Sequence, residues 1–120
     1  MKFSGVMIGS TQPDVLGAFY SQILGAPDFR DGTWYGWGEN STGAQLMLGV
    51  HSEVQGRNPS PQRIMLSISV SDVQSAFEHV TGLGAPIVAK PYQPDENGKY
   101  WLATVEDPDG NFVQLATPWE

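Results

Sequence analysis

Along much of the chain apolar and polar residues alternate with a period of two, and in two places the apolar period lengthens to that of a helix. From Phe3 to Ser10, Val6 and Ile8 fall on one face and Phe3, Gly5, Met7 and Gly9 on the other, which predicts a strand. Ser10-Thr11-Gln12-Pro13 then offers a hydroxyl cap ahead of a proline suited to a first helical turn. Val15, Leu16, Phe19, Ile23 and Leu24 recur at helical spacing until Gly25 stops the run. Two short, glycine-broken strands follow over 28–31 and 33–38, the second carrying Trp34, Tyr35 and Trp37. Over 44–51 the alternation returns, with Leu46, Leu48 and Val50 opposed to Gln45, Met47, Gly49 and His51.

Residues 52–62 are rich in Gly, Pro, Asn and Ser and read as a connector between a module at 1–55 and a module at 62–120, within one domain spanning 1–120. Arg63 to Val70 repeats the opening strand, Ile64, Leu66, Ile68 and Val70 facing away from Arg63, Met65, Ser67 and Ser69. Asp72 is placed to cap a second helix that buries Val73, Ala76, Phe77, Val80 and Leu83 and ends at Gly84. Strands are expected over 85–91 and 100–106, separated by a polar loop at 92–98. The tight turn Asp107-Pro108-Asp109-Gly110-Asn111 leads into a last strand, 112–117.

The two halves share more than an element order. D-V-x-x-A-F occurs at 14–19 and again at 72–77, and each copy runs on to a Gly-Ala-Pro, at 25–27 and 84–86. A unit that returns after about half the chain implies two copies of one supersecondary module, each strand, helix and three strands. The expected class is therefore α+β: two tandem βαβββ modules forming a cupped mixed sheet, with the helices on its outer face.

Composition narrows the chemistry. The 120 residues, 40% of them hydrophobic, suffice for a real core, and the absence of cysteine removes disulfides, thiolate ligands and a cysteine nucleophile. The start of the chain has an apolar run too short for a signal peptide or a membrane span, which leads us to expect a cytoplasmic protein. A net charge of −7 repels phosphate backbones and anionic membranes, so neither nucleic acid nor membrane is an expected partner, whereas a cationic ligand would be drawn in. The apolar strand faces are uniform, but the opposite faces mix glycine, serine, methionine, amides and Phe112. That composition suits a concave ligand surface better than a solvated sheet.

These features together resemble the vicinal oxygen chelate superfamily: paired βαβββ units, Phe19-Tyr20 followed by Leu24-Gly25 in the first helix, and Asp107-Pro108-Asp109-Gly110-Asn111 before the last strand. The group includes glyoxalase I, extradiol dioxygenases, fosfomycin-modifying enzymes and the bleomycin and mitomycin resistance proteins. The resemblance covers almost the whole chain. It implies a homodimer, and in the enzymes a divalent metal held by the first and last strands of each unit. Carried over by register, those positions are Gly5, Met47, Met65 and Gln114. One neutral amide among them is too little for a hard cation, so the resemblance points to the metal-free, resistance-type members and to no metal or other cofactor.

The function expected from the sequence is sequestration of a small aromatic or cationic compound, such as a natural product or antibiotic, by Met7, Trp34, Trp37, Met47, Met65, Ser67, Tyr100, Trp101, Glu106, Phe112 and Gln114. Trp119 is a further candidate for stacking. The alternative is a lyase, isomerase or dioxygenase-like enzyme of the same superfamily, in which His51 with Glu106 or Tyr100 would supply the acid and base.

Overall fold

The structure, a computed structural model, describes residues 1–38, 43–96 and 98–118. The chain divides into two compact units, Met1–Gly56 and Arg57–Glu120. The first contains β1 (Gly5–Ser10), α1 (Pro13–Leu24), β2 (Phe29–Asp31), β3 (Trp34–Trp37) and β4 (Gln45–Val50). The second contains β5 (Leu66–Ser69), α2 (Val73–Gly82), β6 (Ile87–Tyr92), β7 (Leu102–Glu106) and β8 (Phe112–Ala116). Each is a βαβββ module with its own four-stranded mixed sheet, ordered β1-β4-β3-β2 and β5-β8-β7-β6. In both, the first strand runs parallel to the last and the remaining pairs are antiparallel. Among the described residues no helix is long and apolar enough to cross a membrane.

The two helices begin differently. Asp72 caps α2 by accepting from the Ser75 amide at 3.1 Å. α1 starts on Pro13, and its Gln12 cap makes no side-chain hydrogen bond. The Ser10 hydroxyl foreseen as a cap accepts instead from the Gln12 amide at 3.0 Å, one step ahead of the helix. Gly25 and Gly84, both at positive φ, turn the chain out of the helices towards β2 and β6.

The buried stripes differ as well. α2 buries Val73, Phe77 and Val80, against a sheet face of Ala103, Val105, Val113 and Leu115. α1 buries Leu16, Gly17, Phe19 and Tyr20. The reason lies on β3, whose Tyr35 and Trp37 rings stack with centroids 6.3 Å apart and an interplanar angle of 11°. Tyr20 packs on Trp37 at 6.2 Å, and the Trp37 indole donates to the Gly25 carbonyl at 2.9 Å. Such bulk beneath α1 is admitted because position 17 has no side chain: a Cβ there would lie 2.6 Å from the Tyr35 ring. With its neighbouring stripe turned towards these rings, Val15 is left half exposed while its counterpart Val73 is covered. Leu24, Val50, Ile64 and Leu83, also expected inside, are exposed. Ile64 and Met65 precede β5, because the parallel pairing with β8 begins only at Leu66 with Val113.

At the rim of unit 1 the Tyr35 hydroxyl donates to Asp14 Oδ1 at 2.7 Å and accepts from Arg30 Nη2 at 2.9 Å, with the guanidinium carbon 3.9 Å from the ring centroid. The hydrogen bond to Asp14, reinforced by burial, raises the Tyr35 pKa above its ordinary 10.0. In unit 2 the turn before β8 is built round Asp107, which is 1% exposed. Its Oδ1 accepts from the Asp109 and Asn111 amides, each at 2.9 Å, and its Oδ2 from the Asn111 side chain at 2.8 Å. Gly110 supplies the positive φ of 80° that the turn requires.

Candidate functional site

Each sheet has one face against its helix and one face without a helix of its own unit. On the open face of unit 1 the register aligns Met7 with Met47, Met47 with Gly36, and Gly36 with Phe29, a row crossing the whole sheet. Large side chains of this face lie over glycines. A Cβ on Gly36 would meet the Met47 sulfur at 2.6 Å, one on Gly49 would meet the Trp34 indole at 2.5 Å, and one on Gly9 would meet His51 and Val54 at 2.8 Å. Two adjoining depressions result. One, of about 220 Å³, is lined by Phe29, Gly36, Trp37, Gln45 and Met47. The other, of about 190 Å³, is lined by Ser4, Gly5, Val6, Met7, Gln45 and Met47. Met7 is 56% exposed. An exposed methionine on the same sheet face as Met47, Phe29 and Trp34 adds to a polarisable surface suited to an aromatic body.

The open face of unit 2 is more polar. Its register aligns Ser67 with Gln114, Gln114 with Thr104, and Thr104 with Ala89, and the Ser67 hydroxyl donates to Gln114 Oε1 at 3.4 Å. At the end of the same face Glu106 pairs with Phe112 across β7 and β8. Glu106, foreseen as the partner of a cationic ligand, accepts at Oε2 from Arg57 Nη2 at 2.8 Å.

The sequence candidates therefore fall into groups. Met7, Trp34 and Met47 are brought together on unit 1, and Ser67, Glu106, Phe112 and Gln114 on unit 2. Met65 lies ahead of β5, and Tyr100 and Trp101 ahead of β7, where the Trp101 amide and carbonyl bond the hydroxyl and amide of Thr117. Trp37 borders the larger depression, but its ring is 6% exposed and stacked on Tyr35 beneath α1. Trp34 and Trp37 are three residues apart on one strand and so cannot share a face, a parity signal present in the sequence. Trp119 lies outside the described residues. His51 sits just past β4, its Nδ1 accepting from the Glu53 amide at 3.1 Å. The residues that sequence reasoning missed are Phe29, Gln45 and Arg57. Arg57 lies in the stretch assigned to the connector, and only the fold reveals its ion pair.

A model of the glyoxalase-like domain matches residues 5–116. The chain belongs to that family. Solved structures agree with the assignment to the wider glyoxalase, bleomycin resistance and dioxygenase superfamily. A glyoxalase/bleomycin resistance protein from Albidiferax ferrireducens T118 is 22% identical over 97% of this chain and 98% of its own, with a TM-score of 0.74. A superfamily enzyme from Burkholderia phytofirmans PsJN is 19% identical over 98% of each chain, with a TM-score of 0.75. A glyoxalase/bleomycin resistance protein from Catenulispora acidiphila DSM 44928 is 25% identical over 98% of this chain and 97% of its own, with a TM-score of 0.63. No curated protein matches.

The metal implied by many glyoxalase-like enzymes can be tested against the residues that stand in its place. At Gly5 no ligand side chain fits, since a Cβ would lie 2.1 Å from the Gln45 carbonyl oxygen. Met47 and Met65 offer thioethers, and Gln114 one neutral amide already engaged by Ser67. Among the described residues no three His, Cys, Asp or Glu side chains are grouped so as to hold a metal ion. This donor set does not fit a hard divalent ion, which takes imidazole or carboxylate ligands.

Proposed function

We propose that this glyoxalase-like protein binds a small aromatic compound on its open sheet faces without a metal ion and returns it unchanged. The observation that carries the reading is what stands at the four positions that the family resemblance assigns to a metal: a glycine with no room for a side chain, two methionines and an amide. With the metal site goes the means by which such folds polarise an oxygen substrate. What replaces it on unit 1 is a surface of Met7, Met47, Phe29 and Trp34, whose chemistry is dispersion and stacking. The aromatic part of the expected ligand class draws on that surface. The cationic part has less support, because the carboxylate that would serve it is engaged by Arg57. The candidate acid and base are committed too: the His51 Nδ1 to a backbone amide, and Glu106 to its ion pair.

Two measurements test this. Titration with planar aromatic natural products, followed by Trp fluorescence, should give saturable quenching, and the compound should be recovered intact by mass spectrometry. Recovery of a converted product would refute pure binding. Thermal melts with and without zinc, manganese or iron should coincide, because a metal bound a hundredfold above its Kd would add about 2.7 kcal/mol of stability.

A further inference from the structure

Unit 2 carries one exposed cation whose position is fixed by several independent contacts. Arg57 lies at the start of the unit, and the next residue ties it down: the Asn58 amide donates to the Asp109 carbonyl at 2.8 Å, and the Asn58 side chain to Asn111 Oδ1 at 2.9 Å. The guanidinium then passes over Gly110, where a Cβ would lie 2.8 Å from Nη2. It ends on Glu106 at 2.8 Å, at the Phe112 end of the open face. The two partners are unequally covered, the Arg57 side chain being 62% exposed and that of Glu106 22%. An approaching ligand therefore meets the guanidinium. Glu106 uses one of its five N–H donors, and among the described residues Arg57 has no other partner.

We propose that Arg57 is the specificity-determining residue of this face and selects ligands that carry a carboxylate beside their aromatic body. The inference rests on the binding reading above and names the ligand class within it. A guanidinium already oriented by a carboxylate loses less rotamer freedom when a second oxyanion docks, and its planar fork matches carboxylate geometry. Phe112, the cross-strand partner of Glu106, offers a ring on the same face. The net charge of −7 opposes an anion only at distances comparable with the screening length, about 8 Å at physiological salt, inside which the local cation dominates.

The test uses 2-naphthoate and its neutral isostere 2-naphthamide at neutral pH, with Kd read by calorimetry. The wild-type protein should prefer naphthoate on the order of tenfold, as expected for a charge-assisted hydrogen bond. Added salt should weaken naphthoate binding alone. In Arg57→Met naphthoate affinity should fall until the preference is about unity, and in Arg57→Lys the preference should be partly kept. Circular dichroism confirms that the variants fold. Equal binding of the two probes by the wild type, or a preference that survives Arg57→Met, overturns the carboxylate assignment and leaves the binding reading standing. Binding of neither probe overturns both.

Discussion

Replacing Gly17 by alanine sets two effects against each other inside α1. In an isolated helix the change is favourable by about 1 kcal/mol, since glycine is the poorest helix former after proline. Here the new methyl carbon would lie 2.6 Å from Tyr35 Cε2 and 2.8 Å from Cδ2 and Cζ. Ordinary carbon contacts are about 3.5 to 4.0 Å, so the ring must retreat by roughly 1 Å. It has little freedom to do so, being stacked on Trp37 and tied through its hydroxyl to Asp14 and Arg30. Overpacking of this kind costs about 1–3 kcal/mol, and a loosened hydroxyl about 1 kcal/mol more. The net expectation is a loss of about 1–3 kcal/mol. At roughly 2.1 cal/mol/K per residue that is a fall in Tm of about 4–12 °C. Gly82→Ala is the control: nothing lies within 4 Å of its Cβ, so propensity acts alone and stability should rise by about 0.5 kcal/mol. In a Tyr35→Ala background the Gly17→Ala penalty should vanish, since the ring it opposes is gone. Urea denaturation of the four variants measures all of this, and a Gly17→Ala protein as stable as the wild type would refute the packing argument.

Three other outcomes follow from the geometry. Asp107→Ala should cost about 3–5 kcal/mol by denaturation, because it strands the buried Asp109 amide and the part-buried Asn111 amide, and a loss under 1 kcal/mol would contradict the turn's role. Gly49→Ala should push the Trp34 indole off the sheet and shift its emission to the red, with weaker quenching by aromatic ligands; unchanged spectra would show that the ring does not rest there. The Tyr35 phenol should ionise above its ordinary 10.0 in an ultraviolet absorbance titration, and Asp14→Ala, which removes the largest cause of the rise, should lower its midpoint. The sign for stability follows: below pH 10 both states hold the proton, whereas above it the unfolded chain loses it first. Tyr35's contribution is thus present below pH 10 and disappears as the pH climbs through its raised folded value.

Much of the fold was legible because its cues are local. The repeated D-V-x-x-A-F marks both helices, and strict alternation in β8 assigns Val113 and Leu115 to the core and Phe112 and Gln114 to the open face, as found. In β7 likewise Ala103 and Val105 lie inside, and Glu106 aligns with Phe112 on the open face. Reading failed where a distant residue decided the outcome. Val15 and Val73 occupy the same place in the repeat, yet their burial differs because Tyr35 and Trp37 of β3 are far larger than Ala103 and Val105 of β7. No local pattern announces that. Ile64 continues the alternation of β5 perfectly, but β8 offers it no partner. Arg57 sits amid glycine, asparagine and proline, a composition that signals a loop and says nothing of a carboxylate 49 positions away.

The glycines under Trp34, Met47 and His51 have an evolutionary corollary. Because the relief of that surface is set from beneath, a single added methyl group in the sheet can tilt an indole or lift a thioether while every exposed side chain keeps its identity. Homologues with the same visible residues can therefore display differently contoured surfaces, and a comparison restricted to exposed positions would overlook the substitutions that reshape them.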